Sequence, residues 1–155
     1  MTDRLLRDAA HLRLVSIGST RDLTPDRDLI GMAGEHAFAR DFHLHHDLRS
    51  KPAGDGGIDF WLPLMLSIDV KTSPRPGYLL VKAGKVVADI YVLAHATPDN
   101  LLAGECLGFA FKDEVLAAPL QDFNNAGIIN HCLPRKALRP MDELRQRLAL
   151  IGFVS

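Results

Sequence analysis

The sequence predicts one α/β or α+β domain in which a mainly central, mixed β-sheet is flanked by helices. A chain of 155 residues, 47% hydrophobic and 24% charged, suits a single domain with one substantial core. A helical pattern is followed by a run of strand patterns and then by short helices, an order typical of a sheet with helices packed on it. We divide this single domain into an N-terminal helix and linker at 1–23, a core at 24–133 and a C-terminal helix at 134–155.

Two helices are predicted before the strands. Residues 2–14 carry apolar side chains at helical spacing and are expected to form a short amphipathic helix. The segment Thr-Pro-Asp at 24–26 favours the start of a second helix, because threonine caps, proline suits the first helical position and an acid suits the first turn. This second helix is expected to run to about Phe42 or Leu44.

The middle of the chain is predicted to form a run of strands. A short strand at 46–50 is followed by a glycine-rich loop at 51–57. Alternation of apolar and polar residues then predicts strands at 58–62 and 64–72, joined by a turn near Pro63.

The remaining elements follow a loop at 73–77 and are predicted from apolar runs and helical periodicity. They are strands at 78–84, 86–96 and 106–111, a short helix at 112–118, a strand at 127–133 and a closing helix at 141–151.

The charge balance excludes a strongly basic nucleic-acid coat, because 18 Lys and Arg stand against 19 Asp and Glu. The charge is nevertheless uneven. Residues 71–85 hold four basic residues and no acid, and residues 133–155 hold five basic residues and two acids. Such asymmetry can mark a face for a polyanion, and ordinary scattered surface charge stays open as the alternative.

The cysteines and the N-terminal residues indicate the cellular compartment of the protein. Cys106 and Cys132 lack metal-ligand spacing and sit in apolar runs, so we expect buried, reduced thiols. The first residues have no apolar core of signal-peptide type, and no segment approaches a membrane span. The sequence therefore predicts a cytoplasmic protein without a membrane partner.

Charges interrupt the two apolar strands near Pro63. Alternation places Asp69 and Lys71 on one face, and a hairpin centred on Leu64 makes Asp59 the direct partner of Asp69. Facing Cβ atoms lie about 4.5–5.5 Å apart, where like charges are destabilising. Two carboxylates held there need a cation between them, and their oxygens suit hard ions such as Mg²⁺ or Mn²⁺.

A third carboxylate lies in the stripe that the second helix would bury against a sheet. That stripe consists of Met32, Glu35, Ala39 and Phe42. Glu35 either takes part in the site or extends to solvent. The presence of Asp59, Asp69 and Lys71 in the same sequence favours a role in the site. Gly31 and Gly34 are poor helix formers, which makes sense if the backbone there must approach another element closely.

These residues resemble the motifs of the PD-(D/E)XK nuclease superfamily. GDGGIDF followed by IDVKTS is most similar to the versions in Holliday-junction-resolvase-like and Mrr-like restriction nucleases, and the match covers roughly residues 30–73. Ile58 stands where the superfamily's proline precedes the first motif Asp. Asp55 is also acidic, but we prefer Asp59 because Asp55 lies between glycines in an expected loop.

The resemblance implies a restriction-endonuclease-like core and a metal-dependent endonuclease acting on DNA. Asp59 and Asp69 would hold one or two Mg²⁺ or Mn²⁺ ions, with Glu35 as a direct or water-mediated ligand and the carbonyl of Val70 as a further one. Lys71 would orient the attacking water or stabilise charge on the scissile phosphate.

The partners follow from the same resemblance. Ser73, Arg75, Lys82 and Lys85 are candidate contacts to nucleic acid, although the lysines could equally be ordinary edge-strand charges. A homodimer is expected, because a domain of this size covers little duplex. Two alternatives stay open: a nuclease for RNA or for free ends, and a non-catalytic binding or assembly protein that keeps the fold. For Ser67 and Asp89 a structural, hydrogen-bonded role is favoured.

Overall fold

The structure is a computed structural model that describes residues 25–44, 57–123 and 125–153, with side chains described from residue 27. The helix predicted at 2–14, the strand predicted at 46–50 and the alternative acid Asp55 lie outside these residues.

Three helices and seven strands make up the described part of the chain. The helices are α1 (Pro25–Asp41), α2 (Lys112–Ala117) and α3 (Met141–Leu150). The strands are β1 (Phe60–Leu62), β2 (Leu66–Ser73), β3 (Tyr78–Lys82), β4 (Ile90–Thr97), β5 (Asn100–Phe111), β6 (Leu120–Gln121) and β7 (Asn130–Pro134). Single turns of 3-10 helix at Pro63–Met65 and Arg135–Ala137 join β1 to β2 and follow β7.

The strands form two sheets. The larger has the order β1-β2-β4-β5, and it is mixed because β2 and β4 run parallel while its other pairs are antiparallel. The smaller is antiparallel, with the order β3-β7-β6. The expectation of one mainly central sheet is thus corrected. Parallel strands need a crossover connection, and the crossover from β2 to β4 carries β3 out of the larger sheet.

The core lies on both faces of the larger sheet. Helices α1 and α3 cover one face, where Phe38 and Phe42 of α1 and Leu144 of α3 pack with Ile68 and Val92. The smaller sheet and α2 cover the other face, in a cluster that joins Leu79, Val81, Tyr91, Leu93 and Val115. The larger sheet is therefore the middle of three layers, and β4 contributes apolar residues to both interfaces.

The predicted mixed α/β class is confirmed, and the predicted bounds of the described elements hold to within about three residues except at the starts of β4 and β5. β5 begins at Asn100, because its first half pairs with β4 through bulges that interrupt the regular apolar pattern. β4 begins at Ile90, because the preceding backbone N–H groups bond to the hydroxyl of Tyr91. The two-residue strand β6 was not predicted.

None of the helices in the described ranges is both long enough and apolar enough to cross a membrane.

Candidate active site

The β1–β2 hairpin has the register that the sequence predicts. Phe60 pairs with Ile68, Trp61 with Ser67 and Leu62 with Leu66. The regular ladder begins at Phe60. Asp59 precedes it and donates its N–H to the carbonyl of Ile68 at 2.8 Å, so the predicted direct pair of Asp59 with Asp69 is not part of the ladder. Asp69 belongs to the face of β2 that carries Ser67, because alternate residues of a strand point to the same side.

A strained turn connects these two strands. Leu64 and Met65 have φ values of 64° and 61°, in the left-handed region that costs roughly 1–2 kcal/mol for a residue with a Cβ. Both side chains are exposed at the hairpin tip. The turn takes up the three residues between β1 and β2 and so fixes which residues face each other.

Asp69 and Lys71 form an ion pair on this face. Asp69 is only 4% exposed, and its Oδ2 lies 2.7 Å from Nζ of Lys71, whose side chain is 39% exposed. The Oδ2 of Asp59 accepts a hydrogen bond of 2.7 Å from the Val70 N–H. The two carboxylates and the ammonium thus meet around the middle of β2, with Lys71 on the solvent side.

The electrostatics of the group follow from this arrangement. Burial alone would lower the pKa of Lys71, but the carboxylates of Asp69 and Asp59 outweigh it and raise that pKa above 10.5. Burial raises the pKa of Tyr91, which stands beside Asp69 in the parallel register, and the negative charge of Asp69 acts in the same direction. Lys71 is therefore a cation and Tyr91 a neutral phenol at neutral pH.

Lys71 lies in the wall of an open, basic cleft of about 560 Å³. The cleft is lined by Arg27 of α1, residues 71–75, Tyr78 of β3, Leu93 of β4 and Phe123, among others. Arg27, Lys71 and Arg75 make it cationic, and no acidic side chain of the described residues lines it. Such a concave, positive surface suits a phosphate group.

The candidate nucleic-acid contacts divide into two groups. Ser73 and Arg75 line this cleft, and the Arg75 N–H donates to the Ser73 hydroxyl at 3.0 Å. Lys82 and Lys85 are exposed at the far end of β3 and in the turn after it, and they are not lining residues of the cleft.

Glu35 lies in the stripe of α1 that packs on the larger sheet. The stripe Met32, Glu35, Ala39 and Phe42 is buried as predicted, with Glu35 at 9% exposure. However, α1 packs on the face of Ile68 and Val70, opposite the face of Asp69. Within residues 27–44, 57–123 and 125–153, no group of three or more His, Cys, Asp or Glu side chains could hold a metal ion. The structure thus brings Asp59, Asp69 and Lys71 together without Glu35.

Gly34 allows α1 to approach β2 closely. A Cβ built at Gly34 would lie 2.8 Å from Cβ and Cγ2 of Thr72 and closer still to its hydroxyl. The Thr72 hydroxyl is buried and has no hydrogen-bond partner among the described residues. At Gly31, by contrast, an added Cβ meets nothing within 4 Å in this part of the chain. The expected close approach is confirmed for Gly34 and wrong for Gly31.

None of the protein-family models, curated proteins or solved structures compared with this chain matches it.

Ser67 and Asp89 have the structural role that the sequence favours. The hydroxyl and the N–H of Ser67 donate to Oδ2 of Asp89 at 2.8 and 2.9 Å, and the Asp89 N–H donates back to the hydroxyl at 3.0 Å. This reciprocal set holds the start of β4 against β2.

Sequence reasoning missed Arg27, Tyr78, Tyr91 and Phe123. Arg27 and Phe123 lie more than 40 residues from Lys71 in the sequence, so no local pattern connects them to it. Tyr91 carried a usable signal, because it is a polar-tipped residue inside an apolar strand, but its place beside Asp69 depends on the parallel pairing of β2 with β4.

Proposed function

We propose that this chain is a metal-dependent endonuclease of the PD-(D/E)XK superfamily that hydrolyses phosphodiester bonds in DNA. The observation that supports it is the ion pair of Asp69 with Lys71, beside the Asp59 carboxylate that accepts from the Val70 N–H, with Lys71 in the wall of a cationic cleft of about 560 Å³. We extend the proposal to a homodimer, since one domain of this size covers only a short stretch of duplex.

The side chains of Asp59 and Asp69 are chemically suited to bind a divalent cation. Two carboxylates, Asp69 on β2 and Asp59 bonded to the Val70 N–H, offer hard oxygen donors next to a single ammonium group. Mg²⁺ is commonly bound through one or two carboxylates, with water and substrate phosphate oxygens completing its shell. Asp59 and Asp69 would hold the ion. The Val70 carbonyl and Glu35 remain predictions from the resemblance, Glu35 as a ligand through water.

The chain's own residues supply the rest of the chemistry. When bound, the ion lowers the pKa of a coordinated water and neutralises charge on the phosphate. Arg27 and Arg75 would bind phosphate oxygens in the cleft. Lys71 would place a permanent positive charge beside the scissile phosphate, because its raised pKa keeps it protonated.

A second candidate function is a nucleic-acid-binding protein without catalysis. The ion pair between Lys71 and Asp69 at 2.7 Å favours it, because the pair neutralises one carboxylate without a metal. The cationic cleft is equally suited to binding alone.

A cleavage panel separates the two functions. Linear duplex DNA, single-stranded DNA, a four-way junction and RNA would each be incubated with Mg²⁺, with Mn²⁺ and with EDTA. The variants are Asp69→Asn and Lys71→Ala, and the matched controls are Asp99→Asn, exposed at the β4–β5 turn, and Lys112→Ala, at the start of α2. Thermal melting would establish that each variant is folded.

The proposed function predicts cleavage with Mg²⁺ or Mn²⁺ but not with EDTA, a loss of at least about a hundredfold in both site variants, and unchanged rates in the controls. Cleavage of RNA alone would transfer the proposal to ribonucleases. Binding without cleavage of any substrate would favour the second candidate. Equal rates in Asp69→Asn and wild type would refute the assignment of the site.

A further inference from the structure

A second basic cleft of about 540 Å³ adjoins the first. It is lined by Gly77, Tyr78, Leu107, Pro134, Arg135 and Lys136. The smaller sheet builds it, because Tyr78 of β3 pairs with Pro134 of β7 and the Arg135 N–H donates to the Gly77 carbonyl at 3.0 Å. Arg135 and Lys136 therefore stand on a turn that is anchored to the beginning of β3.

These two cations differ from the other basic residues near the C-terminus. Arg139 pairs with Glu114 at 2.9 Å, and Arg145 pairs with Asp142 at 2.8 Å. Arg147 similarly contacts Glu143 at 3.4 Å. Arg135 and Lys136 are exposed, and within the described part of the chain no acidic side chain lines their cleft. Both cations are therefore accessible to a ligand in that cleft.

Tyr78 lines both clefts. Its ring packs against that of Phe123, with centroids 5.0 Å apart and planes inclined by 50°, and both residues remain 45% exposed. Exposed aromatic rings between cationic surfaces are the usual platform for unpaired bases, because every base has a face that can stack while its phosphates follow the positive groove. A purely structural pair would be expected to bury more of its apolar area.

We propose that the two clefts form one track for an unpaired strand, with phosphates in each cleft and a base stacked on the Tyr78–Phe123 pair. Bases inside a duplex cannot reach these rings without unstacking, so the track selects single strands and junctions or flaps that contain unpaired nucleotides. The inference rests on the proposed function only in that the Lys71 end of the track is where cleavage would occur. The track itself is a binding surface and does not require cleavage.

The test is binding without cleavage. A fluorescently labelled 12-nucleotide single strand and a duplex of the same length would be titrated with the full chain in EDTA, and anisotropy would be followed at several salt concentrations. The variants are Tyr78→Ala, Tyr78→Phe, Phe123→Ala and Lys136→Ala. The controls are Trp61→Ala, an aromatic residue that is 61% exposed outside both clefts, and Lys112→Ala.

The track predicts that the single strand binds more tightly than the duplex. Tyr78→Ala should weaken single-strand binding by about 5- to 150-fold, which corresponds to the 1–3 kcal/mol of one base–aromatic stack, and Tyr78→Phe should restore it. Lys136→Ala should reduce the slope of log affinity against log salt by about 0.7, the contribution of one phosphate on a single strand. The two controls should change the affinity by less than about twofold.

Three outcomes would overturn the inference: tighter binding of the duplex, Tyr78→Ala equal to Trp61→Ala, or no gain from Tyr78→Phe over Tyr78→Ala. Thermal melting of Tyr78→Ala and Tyr78→Phe would establish that both variants are folded, so that a loss in Tyr78→Ala alone reports the missing ring. The readout is independent of catalysis. If the protein cuts DNA in a metal-dependent way but Tyr78→Ala does not affect binding, the track is refuted and the nuclease is supported. If binding depends on Tyr78 but no substrate is cut, the nuclease is refuted and the track is supported.

Discussion

Replacing Gly34 with alanine should destabilise the protein, whereas the same change at Gly31, one helical turn earlier, should stabilise it. The two glycines share α1, and alanine is favoured over glycine in a helix interior by about 1 kcal/mol at either position. Only Gly34 faces Thr72, whose Cβ and Cγ2 would lie 2.8 Å from the new methyl group. Rotation about χ1 of Thr72 cannot relieve the contact, because the Cβ does not move with it.

The magnitude follows from the comparison of the two variants. The helix-propensity gain is the same in both, so the difference in their free energies of unfolding equals the overpacking cost at Gly34, about 1–3 kcal/mol. With three Thr72 atoms inside contact distance, we expect the upper half of that range. For a chain of 155 residues each kcal/mol corresponds to about 2–4 °C in Tm.

Urea unfolding followed by circular dichroism measures this difference, provided that the m-values of the variants agree. The double variant Gly34→Ala/Thr72→Ala should recover part of the loss, since it removes the hydroxyl and Cγ2 but leaves the Cβ. Equal shifts for Gly31→Ala and Gly34→Ala would refute the close packing of α1 on β2, and so would additive effects in the double variant.

Three further predictions concern titratable groups. Burial alone would lower the pKa of Lys71, but Asp69 raises it above 10.5. The loss of affinity for single-stranded DNA that Lys71→Ala causes should therefore be the same at every pH between 7 and about 10. A decline below pH 9 would contradict this. Burial alone would raise the pKa of Glu114, but Arg139 lowers it below 4.5. Wild type should therefore be more stable than Glu114→Gln by its full margin above pH 4.5, and this margin should disappear as the pH falls through the pKa of Glu114 in the folded protein. Measuring the Tm of both proteins at a series of acidic pH values would test this. Burial raises the pKa of Cys106 to about 12, so its thiol should react slowly with a disulfide reagent at pH 8 and rapidly in urea. A fast native reaction would place that thiol at the surface.

Local pairing made the hairpin and its carboxylates predictable. A two-residue alternation on both sides of one turn leaves a single register that buries the apolar set. That register is observed from the pair Phe60–Ile68 to the pair Leu62–Leu66, and Asp59 lies just before it, with its carboxylate on the Val70 N–H. The buried stripe of α1 was equally accessible, because helical periodicity depends only on nearby residues.

Long-range pairing explains what the sequence did not reveal. Alternation in β3 indicates a strand but carries no information about its partner, so its departure into a second sheet with β7 was missed. The same limit hid the basic clefts, since Tyr78 meets Phe123 only after the smaller sheet has formed. Periodicity also placed Glu35 on a buried face without identifying the side of the sheet on which that face packs.

The pairing of β3 with β7 also orders events during synthesis. A chain leaving the ribosome has every strand of the larger sheet once Phe111 has emerged, but β3 has no partner strand within the described residues until β7 follows. Closing such a long loop is entropically costly and comes late. Tyr78 therefore takes its place only after β7 has been made, so a nascent chain acquires its basic clefts after the strands of its larger sheet.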